Sequence, residues 1–308
     1  MRLIILLSLF ITIGCNIPTT INRYGTEVVS DRTVALSIVH KFALSNTKSL
    51  YMDSLKVTKK MWLKSLRAMI NEPEDINATS ETNFCSKAPL SVLIAKENPV
   101  GFAQLMIDLY KVGKGQYFNG RDTIMLELSP RLLNQMALNI TGISYSYTEK
   151  QTINPVFATL AYALTQKYNW GWDKKYDVGD ENKVWAATPL IVENNMIKHF
   201  CGYRNYTFGF DFLTNSIDLD KLKEAIDNKN HIYLLVNSQL LHNLSKIGRW
   251  VIGTHYIDIK KIDFLKKGKE LRVVWWEYGR IFEQTFERSA FRGLIAGGII
   301  FKSGLTQP

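Results

Sequence analysis

Two kinds of hydrophobic pattern divide this chain, and their order limits the folds open to it. Apolar residues at helical spacing occupy roughly the first two thirds, and strand-like runs crowd into the last third. Asp31 is placed to cap a helix through Val34, Ile38 and Phe42, and a second run from Leu50 to Ile70 carries Leu55, Trp62, Leu63, Leu66 and Met69 before Asn71-Glu72-Pro73 ends it. Further helices are expected over about 86–96, 100–112, 154–168, 190–200 and 219–228, with Ser129-Pro130 opening another. Strand candidates follow at 231–237, 250–259, 270–278 and 280–286, with Lys266-Lys267-Gly268-Lys269 as a hairpin turn. Helices first and an antiparallel sheet last imply an α+β domain.

Length permits one sizeable core, and 7 Trp, 14 Tyr and 15 Phe argue for a packed chain. The formal net charge is +10. Lysine pairs at 59–60, 174–175, 260–261 and 266–267 are scattered along the sequence, and no nucleic-acid-binding motif accompanies them, so no nucleic-acid partner is expected. There is no Cys-x-x-Cys, no His-Glu-x-x-His and no Gly-rich phosphate loop, so neither a metal nor a cofactor is expected.

The first 15 residues have a basic start, a short apolar run and Gly14 before Cys15. The run is too short for a comfortable membrane span and reads as a secretory signal. It also resembles a bacterial lipoprotein signal, which implies cleavage before Cys15, lipidation of that thiol and a membrane-anchored protein of the cell envelope. Thr12 stands where such signals usually carry Leu. The expected division is a signal over 1–15, a tether and helical extension over 16–72, and a main domain over 73–308.

The stretch Asn83-Phe84-Cys85-Ser86-Lys87 carries the clearest chemical signal. A polar segment delivers a cysteine to the start of an apolar helix, where unpaired first-turn N–H groups favour a thiolate. Pro89 fits in that first turn. A thiol nucleophile also needs a base and a polar group to orient the base. Among the five histidines, His255 in Gly253-Thr254-His255-Tyr256-Ile257 is the best base. Glu277 and Asn237 are the candidates for the orienting group, and strand alternation decides whether Glu277 faces His255. The backbone N–H of Cys85, with Asn83 or Thr82 nearby, is the candidate for holding an oxyanion.

These residues resemble the papain-like cysteine peptidase superfamily, and within it the bacterial peptidases that trim double-glycine leader peptides. The likeness rests on Asn-x-Cys opening a helix, His-x-x-x-Ile in the sheet, and a Trp-rich strand, Val273-Val274-Trp275-Trp276-Glu277-Tyr278-Gly279, closed by glycine. It implies a papain-like fold, a helical N-terminal lobe packed on a C-terminal antiparallel sheet, and a peptide or protein substrate. Cys85 falls on the family nucleophile and His255 on its base. The chain departs from the family in having Ser86-Lys87 after the cysteine and no Gln between residues 70 and 84.

Two functional readings follow. In one, the chain is an exported cysteine hydrolase that cleaves a peptide or amide bond. In the other, it is a non-catalytic envelope lipoprotein that binds a peptide, glycan or partner protein through aromatic residues such as those at 170, 172, 275, 276 and 278. A Cys85–Cys201 disulfide would favour the second. His199 and Cys201 form a rival pair, but residues two apart on a helix point to different faces.

Overall fold

The reason the chain folds around one helix lies in residues 87–97, whose side chains are apolar on almost every side. The computed structural model describes residues 31–49, 57–76, 84–128, 153–168, 188–201, 205–209, 217–238, 241 and 255–302, and Asp31–Pro308 form one compact unit. Within it α1 is Asp31–Leu44, α2 Lys59–Asn71, α3 Lys87–Glu97 and α4 Pro99–Val112. A hairpin of β1, Lys114–Phe118, and β2, Thr123–Glu127, follows, then α5, Pro155–Tyr168, and α6, Leu190–Cys201. Every residue of α3 from Lys87 to Ala95 is buried. A helix without a solvent face is the central element of its layer. Each of Leu90, Val92, Leu93 and Ile94 is at most 4% exposed, and burying each contributes roughly 1.5–3 kcal/mol.

Local chemistry sets the helix ends. The Thr58 hydroxyl accepts from Met61 N–H at 3.2 Å and opens α2, and the Asn98 side chain accepts from Gly101 N–H at 2.8 Å and opens α4. Gly113, at φ 70°, closes α4. The polar segment before Cys85 contains a 3-10 turn at Pro73–Asp75. Residues 50–56 and 77–83, and the helix expected at Ser129-Pro130, lie outside the described residues.

The last third makes a six-stranded sheet. Its strands are β3, Asn205–Gly209; β4, Asn230–Val236; β5, His255–Leu265; β6, Glu270–Glu277; β7, Arg280–Glu287; and β8, Ile295–Lys302. Their order is β3-β8-β4-β5-β6-β7, and every neighbouring pair is antiparallel. The helices α7, Leu219–Asp227, and α8, Arg288–Leu294, precede β4 and β8. The fold is therefore α+β, with an antiparallel sheet.

Strand alternation divides the core into two. Tyr233, Leu235, Tyr256, Trp276, Ile299 and Phe301 join one hydrophobic cluster with α1 to α6. Ile232, Leu234, Val236, Ile257, Val273 and Trp275 join another with α7 and α8. The adjacent Trp275 and Trp276 thus serve opposite faces. Helices α1 and α2 pack into the same cluster as α3, so the segment read as an N-terminal extension shares the core of the main domain over its described part.

Strand β8 lies beyond the strand candidates read from the sequence, and its Gly297-Gly298 pair is unusual in a central strand. The pair is there because neighbouring chains come too close for a side chain. A Cβ at Gly298 would lie 2.7 Å from the Phe208 ring and 2.8 Å from the Tyr233 carbonyl oxygen, and one at Gly297 would lie 2.8 Å from the Phe208 carbonyl oxygen.

The segment before α3 is anchored to the sheet. Trp276 Nε1 donates to the Glu74 carbonyl at 2.7 Å, and the Glu74 carboxylate meets Lys260 at 2.9 Å and Lys96 at 3.0 Å. Tyr233 donates its hydroxyl proton to the Pro89 carbonyl at 2.9 Å, fixing α3 itself. The β6–β7 turn presses on the same segment. Tyr278 and Gly279 have φ of 48° and 81°, the paired positive values of a two-residue hairpin turn. A Cβ at Gly279 would stand 2.3 Å from the Ile76 carbonyl oxygen. Gly279→Ala is therefore expected to lower the melting temperature, with a loss of about 1–3 kcal/mol in denaturant unfolding. An unchanged denaturation midpoint would show that this contact is not tight.

Candidate active site

Cys85 sits in the turn that starts α3, where the Phe84 carbonyl accepts from both Lys87 N–H at 3.0 Å and Ala88 N–H at 3.1 Å. Phe84 is buried, with its ring edge-on to Tyr162 at 5.2 Å, so the cysteine backbone is held from behind. The Cys85 residue keeps partial solvent access.

His255 is the first residue of β5, paired with Val236 of β4. The Cys85 thiol hydrogen-bonds to the His255 ring, and the Tyr256 backbone N–H donates to the sulfur. The other side of the imidazole meets Glu277, with Nε2 and Oε2 3.0 Å apart. The contact is an ion pair whose angles depart from an ordinary hydrogen bond. His255 and Glu277 are each 2% exposed, so the pair is shielded from water. The sheet explains the choice of acid. His255 opens β5 and Glu277 closes β6, and because these strands are antiparallel neighbours both residues stand at the same end of the sheet.

The third contact of the imidazole is Tyr278. Its ring stacks on His255 with centroids 4.5 Å apart, and its hydroxyl lies 3.0 Å from Nδ1. The left-handed backbone of Tyr278 in the hairpin turn is what turns this ring back over the histidine. By sequence alone Tyr278 reads as core, cleft wall or part of an aromatic binding surface.

These neighbours set the charge states. Burial alone would push the Cys85 thiol up, but the bonded, positively charged imidazole, the Tyr256 N–H and the Lys87 ammonium together hold it below its ordinary value. Burial alone would pull His255 down, and the thiolate and Glu277 outweigh it and raise the imidazole to about 9. Both shifts favour a thiolate–imidazolium pair over the neutral thiol and imidazole.

The remaining candidates fall elsewhere. Asn237 follows the end of β4; its N–H donates to the Leu294 carbonyl at 3.0 Å, and its carbonyl accepts from Leu241 N–H at 3.0 Å. Asn83, Thr82 and Cys15 lie outside the described residues, as do Gly253 and Thr254. Cys85 and Cys201 are both free thiols, and Cys201 is buried in the helical core cluster. His199 contacts Tyr168 Oη through Nδ1 at 3.2 Å. Among the described residues, no group of three or more His, Cys, Asp or Glu is placed to hold a metal ion, and no helix is long and apolar enough to cross a membrane.

Two fully buried ionisable residues near Cys85, Lys87 and Glu193, are not among the candidates read from the sequence. Glu193 lies in α6, far away in the sequence, and carries no local motif. No protein-family model matches this chain, and no curated protein does.

The arrangement makes a direct prediction about the thiol. Alkylation of Cys85 by iodoacetamide is expected to titrate at a pH below that of an ordinary thiol, and His255→Ala is expected to move that midpoint upward. Mass spectrometry of the Cys85 peptide across a pH series reads both. An ordinary midpoint that His255→Ala leaves in place would contradict the ion pair.

Proposed function

We propose that this chain is a cysteine hydrolase of papain-like architecture, cleaving a peptide or amide bond at Cys85. The observation that carries the reading is the line of thiol, imidazole and carboxylate formed by Cys85, His255 and Glu277, with the last two buried. A thiolate at a residue that is not fully enclosed, backed by a charged base held in one orientation, is the arrangement that nucleophilic acyl transfer requires. The buried helix with cysteine at its start and the antiparallel sheet with histidine at its rim support the papain-like assignment. The two free thiols favour catalysis over the non-catalytic reading, which a Cys85–Cys201 disulfide would have supported.

In this mechanism the Cys85 thiolate attacks the carbonyl carbon, and a C–S bond forms as the carbonyl π electrons move onto oxygen. The Cys85 backbone N–H stabilises that oxyanion. As the tetrahedral intermediate collapses, the C–N bond breaks and the His255 imidazolium gives its proton to the leaving amine. The neutral imidazole then takes a proton from water, which attacks the thioester. Collapse releases the acid and regenerates the thiolate beside imidazolium. Glu277 keeps the ring oriented and stabilises its charge throughout. Tyr278 covers one ring face and contacts Nδ1 through its hydroxyl.

Hydrolysis of dye-labelled casein, or of peptides containing a Gly-Gly bond, tests the reading. Cys85→Ala is expected to abolish turnover, and Glu277→Gln to reduce kcat on the order of 10²-fold. The pH profile should rise as the thiol ionises and fall as His255 loses its proton near pH 9. Activity that persists in Cys85→Ala would end the proposal.

The same reading places the enzyme at the cell envelope, anchored through a lipidated Cys15. Cys15→Ser is then expected to shift the protein from the detergent phase to the aqueous phase on phase partition. Equal partition of the two forms would count against the anchor.

A further inference from the structure

Beneath the nucleophile lies a charged cluster that the proposed chemistry does not use. Lys87 and Glu193 are each 0% exposed, as is Ser86 between Cys85 and Lys87. Lys87 projects from the first turn of α3, and Glu193 from the first turn of α6. The Lys87 ammonium donates to the Thr188 hydroxyl and lies 5.8 Å over the Phe84 ring. Tyr256 donates its hydroxyl proton to the Thr188 carbonyl at 3.1 Å, while its backbone N–H reaches the Cys85 sulfur. Contacts therefore run from the sulfur through Tyr256 and Thr188 back to the ammonium, two residues along the chain from the thiol. The Ser86 hydroxyl is within reach of the Glu193 carboxyl, yet neither closes a hydrogen bond of ordinary geometry.

A lysine with no solvent access is costly to bury, and its stem could be replaced by an apolar side chain. Its placement calls for an electrostatic explanation. We propose that Lys87 is a positioning residue for the nucleophile: its buried ammonium, held by Thr188 and facing Glu193, supplies a fixed positive charge that keeps Cys85 ionised. This rests on the reading of Cys85 as a nucleophile and adds a second cation to the one His255 provides.

Among the described residues, charged and titratable groups reach the thiol and its base from several elements. His255 comes from β5, Lys87 from α3, Glu193 from α6, and Glu277 and Tyr278 from the end of β6 and its turn. Burial pulls Lys87 down to about 8 and pushes Glu193 up to about 8, so below that pH the lysine is charged and the carboxyl neutral. The pair then presents a net positive charge to the sulfur. Above that pH a proton leaves and the support weakens.

The test is the pH titration of Cys85 alkylation by iodoacetamide in the full chain, beside thermal melting of each variant. Lys87→Met is expected to raise the thiol midpoint by about half to one unit and to slow alkylation at neutral pH by about 3- to 10-fold. Glu193→Gln keeps that site neutral, as the carboxyl already is below about pH 8, and is expected to leave the midpoint close to the wild-type value. The double variant Lys87→Met with Glu193→Gln leaves no buried charge behind, so it serves where Lys87→Met alone does not fold, and it should show the raised midpoint. A folded double variant with the wild-type midpoint overturns the proposal. So does an upward shift of similar size in Lys87→Met and Glu193→Gln, because that is the signature of disturbed helix packing and not of charge. If the wild-type thiol titrates ordinarily and His255→Ala leaves it unmoved, the hydrolase reading itself has failed. If His255→Ala moves it and the double variant does not, only the role given to Lys87 has failed.

Discussion

The contact between His255 and Glu277, 3.0 Å long and almost closed to water, is the interaction on which the rest of the site depends. Removing either partner would leave the other buried without its contact, at a cost of several kcal/mol. The Cys85 sulfur and Glu277 together outweigh the burial of His255 and favour its charged form, and that charge in turn favours a thiolate on Cys85. The sheet makes this possible. A carboxylate at the end of one strand and an imidazole at the start of its antiparallel neighbour come to the same rim of the sheet, close enough to touch.

A site made from two lobes also needs the lobes fixed to within fractions of an ångström. Here the register between Cys85 and His255 is set by the docking of the chain before α3 against the β6–β7 corner. Trp276 holds the Glu74 carbonyl, Lys260 holds its carboxylate, and Gly279 lets the hairpin turn touch the Ile76 backbone. The same turn holds Tyr278 in the left-handed region, stacked on His255. Structural docking and orientation of the base are thus performed by consecutive residues, 276 to 279. This explains why the Trp-rich strand ends in glycine.

The sequence made the helices and most of the strands legible, because their apolar spacing is regular and their ends carry caps such as Asn98 and Gly113. Cys85 and His255 were legible as a pair because each stands at the kind of position, a helix start and a strand, where such chemistry is housed. Glu277 was legible only as one of two candidates, since choosing it required the strand register. What stayed hidden depends on contacts between distant segments. Gly297-Gly298 reads as a break until the approach of Phe208 and Tyr233 is known. Tyr278 reads as core until the turn conformation is known. Lys87 reads as a surface residue by its type, and only the burial of α3 on all sides reveals otherwise.

Charge balance ties these hidden residues to the visible ones. Cys85, His255, Glu277, Lys87 and Glu193 place five ionisable groups around one end of α3. If all were charged, three negative groups would face two positive ones in a poorly solvated site, and the excess would oppose the thiolate. One proton restores neutrality, and the group that takes it decides whether the nucleophile is ready. Glu193 is the natural holder: it is fully buried, its oxygens close no ordinary hydrogen bond, and burial raises it to about 8. With the proton there, the thiolate and Glu277 are balanced by His255 and Lys87, which favours ionisation of Cys85. Lys87 follows Cys85 by two positions at the start of a buried helix and so cannot move away from the sulfur. The same buried geometry that gives α3 its place in the fold fixes the second cation next to the nucleophile.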